Sequence, residues 1–318
     1  MISNIKYRYH LLYALVWTLS LIPLRILYIL SDFIAWIAHK VIHYRIDIVR
    51  KNLKNSFPER SEEELRQIEK EFYAFFADYI VETIKMCSIS PRKIRKHMHF
   101  EGVEEMVKLM KQENKQFGFL YLAHYGNWEW ISSLSMHIHD VDKNITTGQI
   151  YHPLKNTNFD KLFLKMRGRF GGDNIAMKET LRYIFNKRNE EKVTIIGFIS
   201  DQTPKWESIH HWIDFLHHYT PVFTGAEQIG KKVSAAYFYA HMKRIKRGYY
   251  VCKITPMPLK NDAELKSPSP YPVTDVYFKM LEETIKKYPS LWLWTHNRWK
   301  RTIEEYTERM KSVAQHKH

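Results

Sequence analysis

The first forty residues carry almost no polar rhythm. From Leu11 to Leu30 the chain reads LLYALVWTLSLIPLRILYIL, about the length a helix needs to cross a bilayer, and a second apolar stretch runs from Phe33 to Ile42. Pro23 and Arg25 fall near the middle of the first run, where a central arginine is penalised by roughly 2.5–3.5 kcal/mol on insertion scales. A spanning helix and an interfacial or re-entrant anchor therefore both stay open, with a buried core helix as the alternative to either. The run is too long for a signal peptide, and no small-residue cleavage site follows it. Both flanks are basic (Lys6 and Arg8; Lys40, Arg45, Arg50 and Lys51), so charge bias sets no orientation. The pattern predicts an anchor over 1–44 and a single domain over 45–318.

Beyond the anchor the pattern becomes periodic. Arg45 to Pro58 is a basic segment ending in a turn, and Ser61-Glu62-Glu63-Glu64 is a capping box. It opens an amphipathic helix to about Met86, whose apolar face is Leu65, Ile68, Phe72, Phe75, Phe76, Tyr79 and Ile80. Pro91 breaks the pattern, and a helix follows over Val103 to Gln112. Phe117 to Ala123 reads as a buried strand, with a helix starting near Asn127 and a strand over Ile145 to Ile150. Helices at 158–168 and 177–188 precede the clearest second strand, Val193 to Ser200. A helix at 223–231, strands at 233–240 and 249–255, a helix at 273–287 and a charged helix from Thr302 complete the chain. Strands separated by helices predict an α/β fold, a largely parallel central sheet flanked by helices.

Charge narrows the partners. Lys and Arg outnumber Asp and Glu by 49 to 34, a formal net charge of +15. That excess suits phospholipid headgroups, an acidic carrier protein, a phosphorylated substrate or nucleic acid. The basic residues are dispersed and no nucleic-acid motif is present, so nucleic acid is not read as a partner. Cys87 and Cys252 form neither a disulfide framework nor a zinc pattern. No glycine-rich phosphate cradle and no GxSxG elbow occurs. Ser208 to Tyr219 holds four histidines and an aspartate; on a helix, His210, Asp214 and His218 would share one face and could hold a metal. A membrane-facing or substrate-facing loop of aromatics and histidines is the preferred reading there.

The chemistry concentrates in Phe119-Leu-Tyr-Leu-Ala-His-Tyr-Gly-Asn-Trp-Glu129. His124 falls where a buried strand ends, Glu129 about one turn into the following helix, and Gly126 allows a tight turn between them. A carboxylate beside an imidazole fixes its tautomer and suits it to deprotonate a hydroxyl. Spacing alone does not discriminate, because His99 and Glu104, and His137 and Asp142, share it without a strand end.

HYGNWE after an apolar strand resembles the HxxxxD/E motif of the lysophospholipid acyltransferase superfamily and, more narrowly, the lipid A late acyltransferases, a lauroyl and myristoyl transferase family. The resemblance spans most of the chain. After the anchor and HYGNWE come Tyr151-His-Pro-Leu-Lys-Asn156, similar to a YxPxxN stretch, and Arg167-Gly-Arg169, similar to an RxR element. Ile199-Ser-Asp201-Gln202 falls where that family has a strand-end aspartate. Thr224 to Ala236 resembles its following helix and strand. Pro289-Ser-Leu-Trp-Leu-Trp-Thr-His-Asn-Arg-Trp-Lys300 resembles its PExYxWxHRRFK close. Two departures stand out: no second acid follows Asp201, and Asn297 replaces the usual arginine, leaving Arg298.

The resemblance implies an acyltransferase with a glycerolipid acyltransferase-like fold and needs no metal or cofactor. It implies His124 as general base oriented by Glu129, and an arginine of the Arg167–Arg169 pair binding phosphate or developing charge. Asp201 would hold that arginine or the substrate, and Asn127 would join the substrate-binding set. The implied donor is acyl carrier protein, with CoA as the other thioester. The implied acceptor is a hydroxyl of a lipid A precursor, with membrane phospholipids around it, at the cytoplasmic side of a bacterial inner membrane. The rivals are the same fold acylating another glycolipid or phospholipid, and a non-catalytic membrane-binding protein of that fold.

Overall fold

A computed structural model describes residues 2–259 and 269–315, with side chains from 9 to 312; the side chains of Lys6 and Arg8 lie outside the described residues. Two helices open the chain, α1 (Ile2–Leu21) and α2 (Leu24–Trp36), and a π-helical turn extends α2 through Ile37–Val41. Pro23 separates them because it has no N–H for the ladder, and the pair bends by 112° there. Among the described residues no single helix is long and apolar enough to cross a membrane.

Next come α3 (Ile46–Ser56) and the long α4 (Glu62–Lys85). The Ser61 hydroxyl accepts from the Glu64 N–H, and the Glu64 carboxylate accepts from the Ser61 N–H, so the expected capping box starts α4. Pro91 begins a helix rather than ending a pattern. In α5 (Pro91–His97) it sits just inside the N-terminus, where its missing N–H is harmless, behind a Ser90 cap.

The α/β body follows as β1 (Met98–Glu101), α6 (Val103–Gln112), β2 (Phe117–Leu122), α7 (Leu134–Val141), β3 (Thr146–Tyr151), α8 (Thr157–Arg167), β4 (Asp173–Ala176), α9 (Thr180–Asn189) and β5 (Thr194–Ile199). A two-stranded hairpin, β6 (His211–Phe215) and β7 (His218–Val222), precedes α10 (Gly225–Lys232), β8 (Ala236–Lys246), β9 (Tyr249–Pro256), α11 (Pro272–Lys287) and α12 (Ile303–Gln315). The main sheet has seven strands in the order β1-β9-β8-β2-β5-β3-β4. Every pairing is parallel except β8 with β9. A mostly parallel sheet flanked by helices is therefore the architecture. All six residues of β2 are buried, as a strand covered on both faces requires.

Ser208 to Tyr219, read as a loop of aromatics and histidines, forms most of this hairpin, and the helix on which a metal face was weighed does not form. The hairpin's two-residue turn puts Leu216 and His217 at φ 50° and 62°, which matches the right-handed twist of the strands. No Asn-Gly announces that turn. Leu216 accepts the left-handed backbone because its side chain is buried and its N–H meets Glu282. His210, Asp214 and His218 therefore share no helix face, and His218 instead stacks on Trp299 at 4.0 Å.

Helix α4 joins the N-terminal pair to the body through buried polar groups. Glu82 accepts from Tyr28 of α2 (2.8 Å), Asn127 (2.7 Å) and Tyr250 of β9 (2.9 Å). Asp78 accepts from Ser31 at 2.7 Å and pairs with Arg244 and Arg247. Glu69 binds His39 at 2.7 Å. Lys85 donates to Ser20 O (2.6 Å) and Ile22 O (2.9 Å), carbonyls freed where α1 stops. The outward face of the same helices is apolar: Leu11, Leu15, Trp17, Ile26, Ile29, Phe33 and Trp36 are exposed. On α2, Tyr28 and Ser31 turn inward and Ile26, Ile29 and Phe33 outward, beside exposed Arg25 and Asp32.

Two predictions follow from α4. Lys85→Met keeps the stem but leaves the Ile22 carbonyl without its donor and the Ser20 carbonyl with Ser88 alone. A local loss of about 1–3 kcal/mol is expected. Limited proteolysis should then cut within 1–44 faster, with the remaining chain resistant; unchanged cleavage there would contradict it. Burial pushes the Glu82 carboxyl from 4.5 up to about 7, against the donors that favour its ionised form. A folded value above the unfolded one gives stability that is complete below about 4.5 and lost as pH rises through about 7. Unfolding of the wild type and Glu82→Gln should show their stability difference moving against the wild type between about pH 5 and about pH 8. A difference independent of pH would count against a raised carboxyl.

Candidate active site

The register of two neighbouring strands brings the site together. In the parallel pair β2–β5, Leu122 lies opposite Ile199, and the Ser200 N–H still bonds Leu122 O at 3.2 Å. Two residues further along each strand stand His124 and Asp201. Side chains separated by 77 positions therefore meet at the carboxyl ends of adjacent strands, where open α/β sheets gather their chemistry.

His124 Nδ1 lies 2.7 Å from Asp201 Oδ1, and the His124 backbone N–H reaches Asp201 Oδ2 at 3.1 Å. The Trp292 indole N–H donates to the same Oδ2 at 2.8 Å. Burial alone would raise the Asp201 carboxyl, but the adjacent imidazole and these donors bring it below the ordinary aspartate value. An ionised carboxylate at Nδ1 requires an N–H there. In neutral imidazole the lone pair then sits on Nε2, on a side chain that keeps 21% of its exposure.

Glu129 does not meet His124, which corrects the expected pairing. Both its oxygens are taken by Arg167, Nε to Oε2 at 2.7 Å and Nη2 to Oε1 at 2.6 Å, in a fork held against a nearly buried carboxylate. The physical reason lies in the turn. Residues after Asn127 form a loop and then a short 3-10 turn (Trp130–Ser133) instead of entering a helix, so one helical turn does not separate the two side chains. Trp128 stands edge-on to His124 at 5.3 Å and stacks on Tyr79 at 3.9 Å.

The other expected residues divide. Asp201 holds the imidazole rather than an arginine. Asn127 is fully buried, donating to Glu82 and accepting from the Trp130 N–H, which leaves it supporting the loop instead of facing a substrate. Arg169 donates to the carbonyls of Met86 and Ile89 and closes the chain after α4. Arg167 keeps 20% of its side chain exposed and stacks on Phe163, one turn back along α8. Asn156 of the YxPxxN-like stretch caps α8 through the N–H groups of Asn158 and Phe159, which fixes where Arg167 emerges.

Sequence reasoning placed Gly126 at a tight turn but missed the other groups that hold the loop after β2. Gly126 has φ 59°, and a Cβ there would lie 2.4 Å from Met242 Cγ, so this position admits only glycine without rearrangement. The closing tryptophan-rich segment clamps the same loop. Leu291 O accepts from the Gly126 N–H at 2.9 Å, and His124 O accepts from the Leu293 N–H at 3.1 Å. That clamp delivers Trp292 to Asp201. Arg298, the remaining basic residue of the closing motif, is fully buried, donates to Pro221 O at 2.8 Å and falls to about 10 through burial. Gln202 also went unread: its amide nitrogen lies 3.2 Å from His124 Nε2.

No curated protein matches the chain. The family model described as "Bacterial lipid A biosynthesis acyltransferase" matches residues 3–301, which takes in the N-terminal helix pair, both strand ends and the tryptophan clamp, and the chain belongs to that family of acyltransferases.

Proposed function

We propose that the enzyme moves a fatty acyl chain from acyl carrier protein to a hydroxyl of a lipid A precursor already carrying acyl chains, with His124 as general base. The observation that carries this reading is the imidazole whose Nδ1 is gripped by buried Asp201, on a side chain that keeps 21% of its exposure, with the Gln202 amide nitrogen 3.2 Å from Nε2. Nε2 takes the hydroxyl proton, the oxygen attacks the thioester carbonyl carbon, and the carbon–sulfur bond breaks. The leaving sulfur then receives the proton from the imidazolium. Asp201 stabilises that imidazolium, the role expected of Glu129.

Glu129 acts one step away. It uses two of the five guanidinium N–H groups of Arg167, and the rest can meet an acceptor phosphate or the charge developing on the acyl carbonyl. Trp128 and Tyr79 give the hydrocarbon an aromatic wall beside the base. The basic balance of the chain favours an acidic carrier protein as donor. The outward apolar face of α1 and α2 supports attachment to one leaflet, on the cytoplasmic side of the inner membrane where the carrier is found, without a straight spanning helix.

Purified enzyme offered acyl carrier protein with chains of several lengths and one lipid A precursor tests this, with products read by mass spectrometry. His124→Ala should fold normally and lose at least about 10³-fold in turnover, and Asp201→Asn about 10²–10⁴-fold. Near-normal turnover by folded His124→Ala rejects the base. Transfer to other glycolipids or phospholipids but not to the precursor would move the acceptor assignment.

The leaflet attachment has its own test. Ile29 and Phe33 are exposed on one stripe of α2. The double change Ile29→Glu, Phe33→Glu should reduce sedimentation with anionic phospholipid vesicles by about tenfold or more, each buried side chain being worth roughly 1.5–3 kcal/mol. Unchanged sedimentation would remove this face as the contact.

A further inference from the structure

We infer that Gln202 is a catalytic residue whose side-chain amide donates to the acyl carbonyl oxygen as the acceptor hydroxyl attacks. The inference rests on His124 acting as base.

The His124 tautomer fixes which end of the amide faces the ring. Asp201 demands N–H at Nδ1, so the Nε2 lone pair needs a donor, and the Gln202 amide nitrogen supplies it at 3.2 Å. A hydroxyl awaiting deprotonation must occupy that same spot. The acceptor therefore displaces the Gln202 amide when it binds.

The backbone around Gln202 does not move with it. On one side Asp201 is locked by the His124 ring, the His124 N–H and the Trp292 indole. On the other, the Thr203 hydroxyl donates to Arg298 O at 2.5 Å and the Thr203 N–H donates to His296 Nε2 at 3.3 Å. His296 can accept that bond because burial pushes its ring down to about 4 and keeps it neutral. Between these two anchors the Gln202 side chain is half-buried, and its single hydrogen bond among the described residues goes to the base.

A fixed backbone with a singly tethered amide has one nearby place to go. The attacking oxygen sits at Nε2, the acyl carbon is bonding to that oxygen, and the carbonyl oxygen lies one bond beyond. An amide pushed off Nε2 by the hydroxyl remains within reach of that oxygen, where negative charge grows. The bond it forms there is stronger than the one it gives up, because the acceptor becomes an oxyanion. The same arrangement keeps the base covered by a neutral donor until the acceptor arrives.

The test uses full-length enzyme with lauroyl- or myristoyl-loaded acyl carrier protein and the lipid A precursor. Gln202→Leu removes the donor at similar volume, and Gln202→Glu places an acceptor there. Both should lower kcat by about 10²–10³-fold, the effect of losing one oxyanion donor, with KM for the acceptor changing by less than about threefold. Thermal unfolding of both variants should stay close to wild type, since one half-buried hydrogen bond is lost. Wild-type or higher turnover by Gln202→Leu, in an assay where His124→Ala is inactive, overturns the donor role and leaves the base intact. Turnover by His124→Ala itself defeats the reading beneath it. A rise in acceptor KM with unchanged kcat would also overturn the proposal, because it marks binding equal in ground and transition states.

Discussion

One buried carboxylate organises this molecule. Asp201 has given up its water and takes three donors in exchange, two from His124 and one from Trp292. These bonds join three parts of the chain: the turn after β2, the turn after β5 that carries Asp201 itself, and the segment following α11. A buried carboxylate with fewer partners would take up a proton and lose its hold on the imidazole. The tryptophan clamp therefore helps to keep ionised the carboxylate that grips the imidazole.

The elements were largely legible and the contacts between them were not. The apolar runs at 117–123 and 193–200 marked the two strands that matter, because a strand buried on both faces has little choice of composition. The capping box at Ser61 and the terminus at Gln112 were equally plain. The hairpin at 211–222 was hidden because its turn uses Leu and His in the left-handed region, stabilised by burial instead of by glycine. The short strands β1 and β4 are four residues each, too brief to carry a period.

The site divided along the same line. His124, Asp201, Glu129 and Arg167 were all singled out, and the pairing among them was misread. A separation of five residues suggests a contact only if a helix follows, and the chain makes a loop there. The separation of 77 between His124 and Asp201 carries no local signal at all; strand register creates it. What could have found it is the likeness of the two segments themselves, each an apolar strand with its chemical residue two positions beyond the last paired one.

Helix α2 and the loop that carries His124 are not independent pieces. A soluble helix buries its apolar stripe and exposes its polar one. Helix α2 with its π-helical extension departs from this: Tyr28, Ser31 and His39 bond inward to Glu82, Asp78 and Glu69, and Ile29 and Phe33 face out beside exposed Arg25 and Asp32. Such a helix needs a polar scaffold inside to keep its position, and the loop after β2 needs one to keep its shape. Glu82 is common to both demands, because the carboxylate that receives Tyr28 also receives Asn127 from the catalytic loop. Asn127 in turn accepts the Trp130 N–H and fixes the turn that ends at Glu129. A shift of that helix would pull on Glu82 first and on the loop after β2 next. The fold thus couples α2 to the loop that carries His124 through a single buried carboxylate.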